Sequence, residues 1–184
     1  MSLLQAETSG GGVVALRADP VTKSLISIDT VHAEVHAGEH FWLSGYAELD
    51  TNGTLIFTVT TPNSDLRAHM MFHFAGTDVT TIQVYEGAAS VTGGSSATPL
   101  NSDRNSANAS GLTVKKDPTV GTAGTVIDAY KFGSTGGGNA ASAGGTATRE
   151  DEIILKANTT YQFKVTSGAD GNIVSYRGDW YEED

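Results

Sequence analysis

Cysteine is absent from this chain of 184 residues, and basic residues are few. The lack of cysteine excludes disulfides, thiolate zinc sites and a cysteine nucleophile. Lysine and arginine together number 11 against 21 acidic residues, and the net charge is −10. A strongly acidic chain is repelled by the phosphates of nucleic acids and by anionic membranes, so we expect neither as a partner.

Long apolar runs are also missing. No segment approaches the roughly 20 apolar residues that a membrane span needs. The first residues, MSLLQAETSGGG, lack a basic stretch followed by an apolar run. We therefore expect that the chain is not exported by the Sec route. Because it also lacks cysteine, we expect that it is made in a reducing cytoplasm.

Glycine, by contrast, is abundant, with 22 copies, while hydrophobic residues reach only 39%. This composition predicts one domain with a modest core and long loops of small residues. From Ser24 onward apolar and polar residues alternate, and no helical period is sustained for three turns, which predicts an all-β fold, an antiparallel β-sandwich of jelly-roll type. The pair Asn52-Gly53 predicts a tight two-residue hairpin. The predicted strands are 25–29, 31–36, 40–49, 54–61, 67–75, 80–88, 126–132, 152–155, 159–167 and 172–182.

The segments without alternation set the domain boundaries. Residues 1–22, which contain three consecutive glycines, are predicted to be an N-terminal arm, and 23–184 a single sandwich domain. Segments 87–117 and 133–150 consist largely of Gly, Ser, Thr, Asn and Ala. Such segments bury too little apolar surface to order themselves, so we predict two long loops that become ordered on a partner.

Histidines recur at every fourth residue in the stretch VHAEVHAGEHFWL, at His32, His36 and His40. On a helix they would stack on one face at metal-ligand spacing. The apolar residues of the stretch alternate, however, and Gly38 would weaken a helix by about 1 kcal/mol. We therefore predict a strand, a turn at 37–39 and a second strand.

On a strand, residues four apart are separated by about 13 Å, too far for a shared ion. A metal site would require His32 or His36 to meet His69 or His73 from a neighbouring strand. We predict instead that these histidines line a polar sheet face or a subunit contact, and we predict no metal and no cofactor.

Catalytic patterns are weak throughout the chain. Carboxylates are plentiful but no spacing singles out an acid pair, and no serine lies in a Gly-x-Ser-x-Gly elbow. The glycine runs 10–12 and 136–138 lack the strand–loop–helix context of a phosphate site. The aromatic residues Tyr161, Phe163, Tyr176 and Trp180 are predicted to pack in the core. The sequence predicts that the protein is not an enzyme.

Four blocks in order carry a family resemblance. The run from His32 through Glu34, His36 and Gly38 to Phe41 resembles a His-x-Glu-[Ile/Val]-His-x-Gly-x-x-Phe pattern of small virion structural proteins of tailed bacteriophages. Three further blocks are similar, and the resemblance spans roughly residues 24–182. These blocks are Glu86-Gly87, the segment 98–106 with Asn101, Arg104 and Asn105, and the closing segments 155–161 and 179–182.

The resemblance implies a head decoration, or cement, protein with a sandwich body that is made in the bacterial host and located on the virion head. It implies binding to the major capsid protein through the arm and the loops, with the chain as a homo-oligomer. If the histidines face a subunit, assembly should weaken near pH 5–6 as they gain charge. The residues expected to contact the capsid or a neighbouring subunit are His32, Glu34, His36, Asn101, Arg104 and Asn105.

Two alternatives stay open. A carbohydrate- or receptor-binding module of a tail or fibre would carry exposed aromatic residues on a concave face. An enzyme such as a depolymerase would need a convincing acid pair, which the sequence does not single out.

Overall fold

A computed structural model describes residues 5–7, 13–15, 30–133, 143–144 and 152–183. The chain divides into two compact units, Met1–Ala33 and Glu34–Asp184. In the first unit, strands β1 (Gln5–Glu7) and β2 (Val13–Ala15) pair antiparallel. The predicted strand 25–29, the rest of the predicted arm and most of the predicted loop 133–150 lie outside the described residues.

One helix, α1 (Thr30–Ala37), precedes the main set of strands in the described ranges. The bounds of these strands agree closely with most of the strands predicted from the alternation of apolar and polar residues. The strands are β3 (His40–Leu49), β4 (Thr54–Thr60), β5 (Arg67–Gly76), β6 (Thr80–Glu86), β7 (Ala89–Thr92), β8 (Ser95–Ser96), β9 (Leu100–Asn101), β10 (Thr113–Lys116), β11 (Thr119–Thr122), β12 (Thr125–Phe132), β13 (Ala143–Gly144), β14 (Ile153–Leu155), β15 (Thr160–Ser167) and β16 (Asn172–Glu183).

Two six-stranded antiparallel sheets make up the body of the second unit. Sheet I has the order β12-β6-β15-β4-β10-β8. Sheet II has the order β13-β5-β16-β3-β9, and β14 also pairs with β5. Strands β7 and β11 form a separate two-stranded sheet. The predicted all-β antiparallel class is therefore confirmed.

The core lies between the two large sheets. Phe57 of sheet I and Phe72 of sheet II have ring centroids 5.5 Å apart, and Phe72 stacks on Phe163 of sheet I at 4.6 Å. Trp180 is only 1% exposed. One cluster of buried side chains draws on both sheets, which gives a sandwich-like arrangement and confirms that the predicted aromatic set packs in the core.

Helix α1 corrects the prediction of a strand over 31–36. Gly38 has φ of 75° and ends the helix, with its N–H donating to the carbonyl of Val35 at 3.1 Å and that of Glu39 to Glu34 at 2.9 Å. This bonding is the Schellman C-terminal motif, which favours glycine at this position. No residue of the eight-residue helix is fully buried, so no apolar stripe of helical period was needed in its sequence.

The predicted hairpin at Asn52-Gly53 is also wrong, although the turn itself forms. Gly53 donates its N–H to the carbonyl of Asp50 at 2.7 Å, and Asn52 has φ of 64°. Gly53 does not share this positive φ, which the type I′ hairpin turn requires at both central residues. Strands β3 and β4 belong to different sheets, so the turn carries the chain across the core.

The segment predicted as loop 87–117 contains four short strands, β7 to β10. Strand β10 pairs with the edge of β4, with Val114 opposite Val59. Leu112 and Val114 are buried there. Strand β10 is ordered by its pairing with β4, a strand far away in the sequence. The local composition of 87–117 does not indicate this pairing.

Within the residues that the structure describes, no helix has the length and apolar character needed to cross a bilayer.

Candidate functional site

Two of the segments singled out in the sequence meet at Gly38. The side-chain amide of Asn101 donates to the carbonyl of Gly38 at 2.7 Å, and that of Asn108 donates to the same oxygen at 3.4 Å. A Cβ atom at Gly38 would lie 2.4 Å from the hydroxyl oxygen of Ser106. The loop 101–111 therefore packs directly against the C-terminal end of helix α1, at a place where only a glycine fits.

Asn101 organises the first half of this loop from the inside. It is 7% exposed, and its amide also donates to the carbonyl of Asn108 at 3.2 Å. Its side-chain oxygen accepts from the N–H of Asp103 at 2.9 Å, and the carboxylate of Asp103 accepts from the N–H of Asn105 at 2.9 Å. Successive side-chain-to-backbone bonds of this kind fix a turn without regular secondary structure.

His40 adds a second anchor at the start of β3. Its Nδ1 lies 2.6 Å from the hydroxyl of Ser102, and the N–H of Ser102 donates to the carbonyl of His40 at 2.8 Å. His40 is 8% exposed. Its imidazole therefore positions the loop and does not form part of a metal-binding row with His36.

Glu182 anchors the other end of the loop. Its buried carboxylate accepts from the indole N–H of Trp180 at 2.8 Å and from the N–H of Gly111 at 2.8 Å, and it also accepts from the hydroxyl of Ser110. Hydrogen bonds to an ionised carboxylate are stronger than bonds between neutral groups. Glu182 therefore holds residues 110 and 111 firmly in place. The loop is consequently held at both ends by sheet II.

The outward side of the loop presents the predicted contact residues. Arg104 and Asn105 are exposed, and Arg104 donates from Nη1 to the carbonyl of Asn101 at 3.3 Å. Asn101 itself points inward, so it positions the loop. On helix α1, His36 is exposed and Glu34 is half-buried. His32 is also exposed and belongs to the first unit.

The remaining histidines lie on the outward face of sheet II, as predicted for His69 and His73. His69 Nδ1 is 2.7 Å from the carboxylate of Glu152, and its ring stacks on Tyr181 with centroids 4.4 Å apart. His73 Nε2 is 3.9 Å from the carboxylate of Asp179. The sequence pattern placed these histidines on the right face but could not supply their partners, because the register between β5, β14 and β16 decides them.

Among the described side chains, no group of three or more His, Asp or Glu residues is arranged to hold a metal ion.

Two aromatic side chains lie on the outward face of β3. Tyr46 is 76% exposed, and Trp42, four residues earlier on the same face, is half-buried beneath the guanidinium of Arg177, which lies 5.2 Å from the ring centroid. Arg177 in turn contacts the carboxylate of Asp179 at 3.3 Å. This face combines the aromatic and arginine side chains that are enriched at binding surfaces.

An open groove of about 630 Å³ lies beside β14. Leu66 and Ile154 give it an apolar lining, and Arg67 and Glu183 give it charges of both signs. Ile154 is 54% exposed. The groove adds apolar surface to the outward side of sheet II.

Comparisons with family models, with curated proteins and with solved structures found no match to this chain. The resemblance to phage virion proteins therefore stays a prediction based on the four sequence blocks.

Proposed function

We propose that this chain is a decoration, or cement, protein of a bacteriophage head that binds the major capsid protein on the outer surface of the shell. A jelly-roll-like sandwich is its rigid body, and the arm 1–22 and the segments 87–117 and 133–150 reach neighbouring capsid subunits. The protein acts as a homo-oligomer, in a structural and non-enzymatic role that needs no cofactor.

The observation that supports this proposal best is the fixed loop 101–111. Its two ends are tied to helix α1 and sheet II by Asn101 and Glu182, while Arg104 and Asn105 are exposed between them. A loop held in one conformation before binding loses little conformational entropy when a partner docks. A cement protein needs such a preformed contact, because it gains affinity only from surface complementarity.

The partner surface is defined by the chemistry of Arg104. A guanidinium binds carboxylates with paired hydrogen bonds, and the amide of Asn105 both donates and accepts. The matching capsid surface therefore carries an acidic side chain flanked by hydrogen-bonding groups. Beside this pair, the proposed contact set includes the helix residues His32, Glu34 and His36, and Asn101 acts by positioning.

Binding to heads tests the proposal. Purified protein is added at micromolar concentration to expanded, undecorated heads of the phage that encodes it, and co-sedimentation is measured. We expect saturable binding that weakens at least tenfold in Arg104→Ala. Lys131→Ala is the matched control, since Lys131 is an exposed cation on β12 of sheet I. No binding of the unsubstituted protein would overturn the proposal, and equal loss in both variants would remove Arg104 from the contact.

A second function is favoured by one observation, the exposed Tyr46 on the same outward face of β3 as Trp42. Aromatic rings on a sheet face can stack on sugar rings, as a glycan- or receptor-binding module of a tail or fibre requires. Glycan-array binding that is lost in Tyr46→Ala and kept in Ile154→Ala, together with absence of the chain from purified heads, would favour this function over decoration.

A further inference from the structure

Sheet I ends in a long edge strand. Among the described strands, β12 pairs with β6 alone, so its other side is an edge of the sheet. Strand β12 has eight residues, whereas the strands at the other edges of the two large sheets, β8, β9, β13 and β14, have two or three. Short edge strands protect a sheet from pairing with another chain, because they present few main-chain groups to it. Strand β12 does not have this protection.

The side chains of β12 are apolar and exposed. Val126, Ile127 and Tyr130 are 48%, 41% and 38% exposed. Such β-branched and aromatic residues favour an extended strand. The strand also contains no proline, the residue that blocks pairing at an edge. The outer side of β12 therefore combines apolar surface with the main-chain donors and acceptors of an edge strand.

A β-bulge limits the part of β12 that can accept another strand. The register with β6 shifts between Val126 and Asp128, so Ile127 is an extra residue on this strand. Regular pairing with β6 then continues from Asp128 to Phe132. Because a bulge disrupts the ladder locally, we assign further pairing to this regular stretch of about 17 Å.

Tyr130 lies at the rim of the core. Its ring centroid is 6.3 Å from that of Phe132, which packs against the core cluster. The two side chains point to the same face of the sheet, because they are two residues apart on a regular strand. Tyr130 thus extends the aromatic layer to the edge of sheet I, where a further strand beside β12 would cover it.

The charge of the chain indicates which partner can approach this edge. Two copies with a net charge of −10 repel each other over most of their surface, so contact is favoured where carboxylates are fewest. Strand β12 carries one acidic residue, Asp128, and β6 behind it carries one, Glu86, at its end. The edge of sheet I therefore opposes a second copy less than a surface of average charge would.

We infer that β12 pairs antiparallel with β12 of a second copy, so that the two copies of sheet I form one continuous sheet. A two-fold axis perpendicular to the sheet makes this contact self-complementary, because the same residues serve on both sides. Main-chain hydrogen bonds supply affinity, as in other cases of strand addition to a sheet edge. The inference rests on the homo-oligomer of the proposed function and names its contact.

Like charges restrict the position of the two-fold axis. An axis at Asp128 or Lys131 would place two carboxylates or two ammonium groups directly opposite each other, which destabilises a strand pair. An axis at Ala129 or Tyr130 avoids both. With the axis at Ala129, Tyr130 faces Asp128 of the second copy, and with the axis at Tyr130 it faces its own counterpart. In both arrangements Tyr130 is covered by the second copy.

Sedimentation velocity of the full-length protein over the micromolar range tests this inference without heads. We expect a monomer–dimer equilibrium. Tyr130→Glu sets a carboxylate opposite either Asp128 or a second glutamate and should raise the dissociation constant at least tenfold. Ile154→Glu is the matched control, because Ile154 is 54% exposed on the edge strand β14, and it should keep the original constant. Lys131→Ala should also stay dimeric, since it leaves the main-chain groups in place.

Cross-linking provides a second measurement if Tyr130→Glu does not fold. The chain has no cysteine, so Ala129→Cys carries a single thiol. Its thiol lies directly or diagonally opposite its counterpart in the two arrangements, within reach of a short bis-maleimide. We expect a covalent dimer from Ala129→Cys and none from Ser175→Cys, at an exposed position of β16.

Three results would overturn the inference. They are a monomer at every concentration, a dimer that Tyr130→Glu leaves unchanged, and cross-linking of Ala129→Cys to the major capsid protein on heads in place of a second copy. Failure of the proposed function is a separate result. A monomer that co-sediments with heads would contradict this contact alone, whereas a dimer that does not bind heads would contradict only the decoration of heads.

Discussion

Asn101 and Gly38 are joined by a 2.7 Å hydrogen bond from a buried side-chain amide to a main-chain carbonyl. The bond connects a loop between β9 and β10 to the residue that ends helix α1. Two segments far apart in sequence thereby become one surface. The positions of the exposed side chains of Arg104 and Asn105 consequently depend on the buried side chain of Asn101.

Replacing Asn101 with alanine should destabilise the protein. The substitution leaves the carbonyls of Gly38 and Asn108 and the N–H of Asp103 without this partner. Buried polar groups that lose a partner cost about 1–3 kcal/mol, so we expect a loss of that size in urea unfolding. Asn105→Ala, at an exposed position of the same loop, should change the unfolding free energy by less than about 0.5 kcal/mol.

Gly38→Ala should cost more than the same change at Gly87. Both glycines have positive φ, at 75° and 82°, so each alanine pays about 1–2 kcal/mol for the left-handed backbone. Only Gly38 adds a clash, with Ser106, since a Cβ at Gly87 meets nothing within 4 Å. We expect a total of about 3 kcal/mol at Gly38, measured by urea unfolding. Adding Ser106→Gly to Gly38→Ala should recover part of the loss, and no recovery would contradict the proposed clash.

Removal of the Glu182 carboxylate should release the second end of the loop. Glu182→Ala leaves the indole N–H of Trp180 and the main-chain N–H of Gly111 without their acceptor. Because both bonds are charge-assisted and the bond from Trp180 is buried, we expect a loss of about 2–4 kcal/mol. Tryptophan fluorescence during urea unfolding reports it. Glu48→Ala on the exposed side of β3 is the control, and a comparable loss there would contradict the role of burial.

Tyr161 should make stability fall at alkaline pH. Burial raises the pKa of its hydroxyl from 10.0 to about 12, and the hydrogen bond it donates to Glu86 raises it as well. The folded state therefore favours the neutral hydroxyl. Its contribution is complete below pH 10 and is lost as the pH rises towards about 12.

Urea unfolding between pH 9 and pH 11.5 measures this effect. Tyr161→Phe should show a smaller decline over that range than the unsubstituted protein. It should also lose about 1 kcal/mol at neutral pH, because Glu86 and the N–H of Lys156 lose a partner. Tyr46→Phe, at a side chain 76% exposed, should leave both quantities unchanged. Equal alkaline declines in the unsubstituted protein and Tyr161→Phe would contradict the assignment.

Strands with a strict two-residue period were predictable from the sequence. In β5, Met70 and Phe74 are buried while His69 and His73 are half-buried on the other face, as the alternation requires. In β15, Tyr161, Phe163 and Val165 are likewise buried on the core face. A face buried against a second sheet leaves this period in the sequence, because a shift of one residue would expose the whole set.

Helix α1 could not be found by the same reasoning. Valine and alanine at 31, 33, 35 and 37 alternate like a strand, but no helix residue is fully buried and the alternation has no structural role. The informative signal was Gly38, which fits the C-terminal glycine of a helix as well as a turn between strands. The bonds of the Gly38 and Glu39 amides to the carbonyls of Val35 and Glu34 distinguish the two, and the sequence does not show them.

The candidate site was partly predictable for a similar reason. Asn101, Arg104 and Asn105 stood out as hydrogen-bonding residues in a segment of small ones. Asn101 points inward because its amide bonds to the carbonyls of Gly38 and Asn108. The composition of the segment does not reveal these contacts. Glu182 lay within an acidic ending, and only the register of β16 shows that it is buried.

The central position of β16 in sheet II has a consequence for synthesis on the ribosome. Strand β16 pairs with β3 from Asn172 to Tyr181 and with β5 from Val174 to Glu183, so neither earlier strand has its main neighbour until β16 has been translated. Until then both strands emerge with open, partly apolar edges that can associate with other chains. Sheet II therefore closes late and through contacts distant in sequence, which slows folding. Chaperone dependence of a newly made chain should lie in the interval before β16 leaves the exit tunnel.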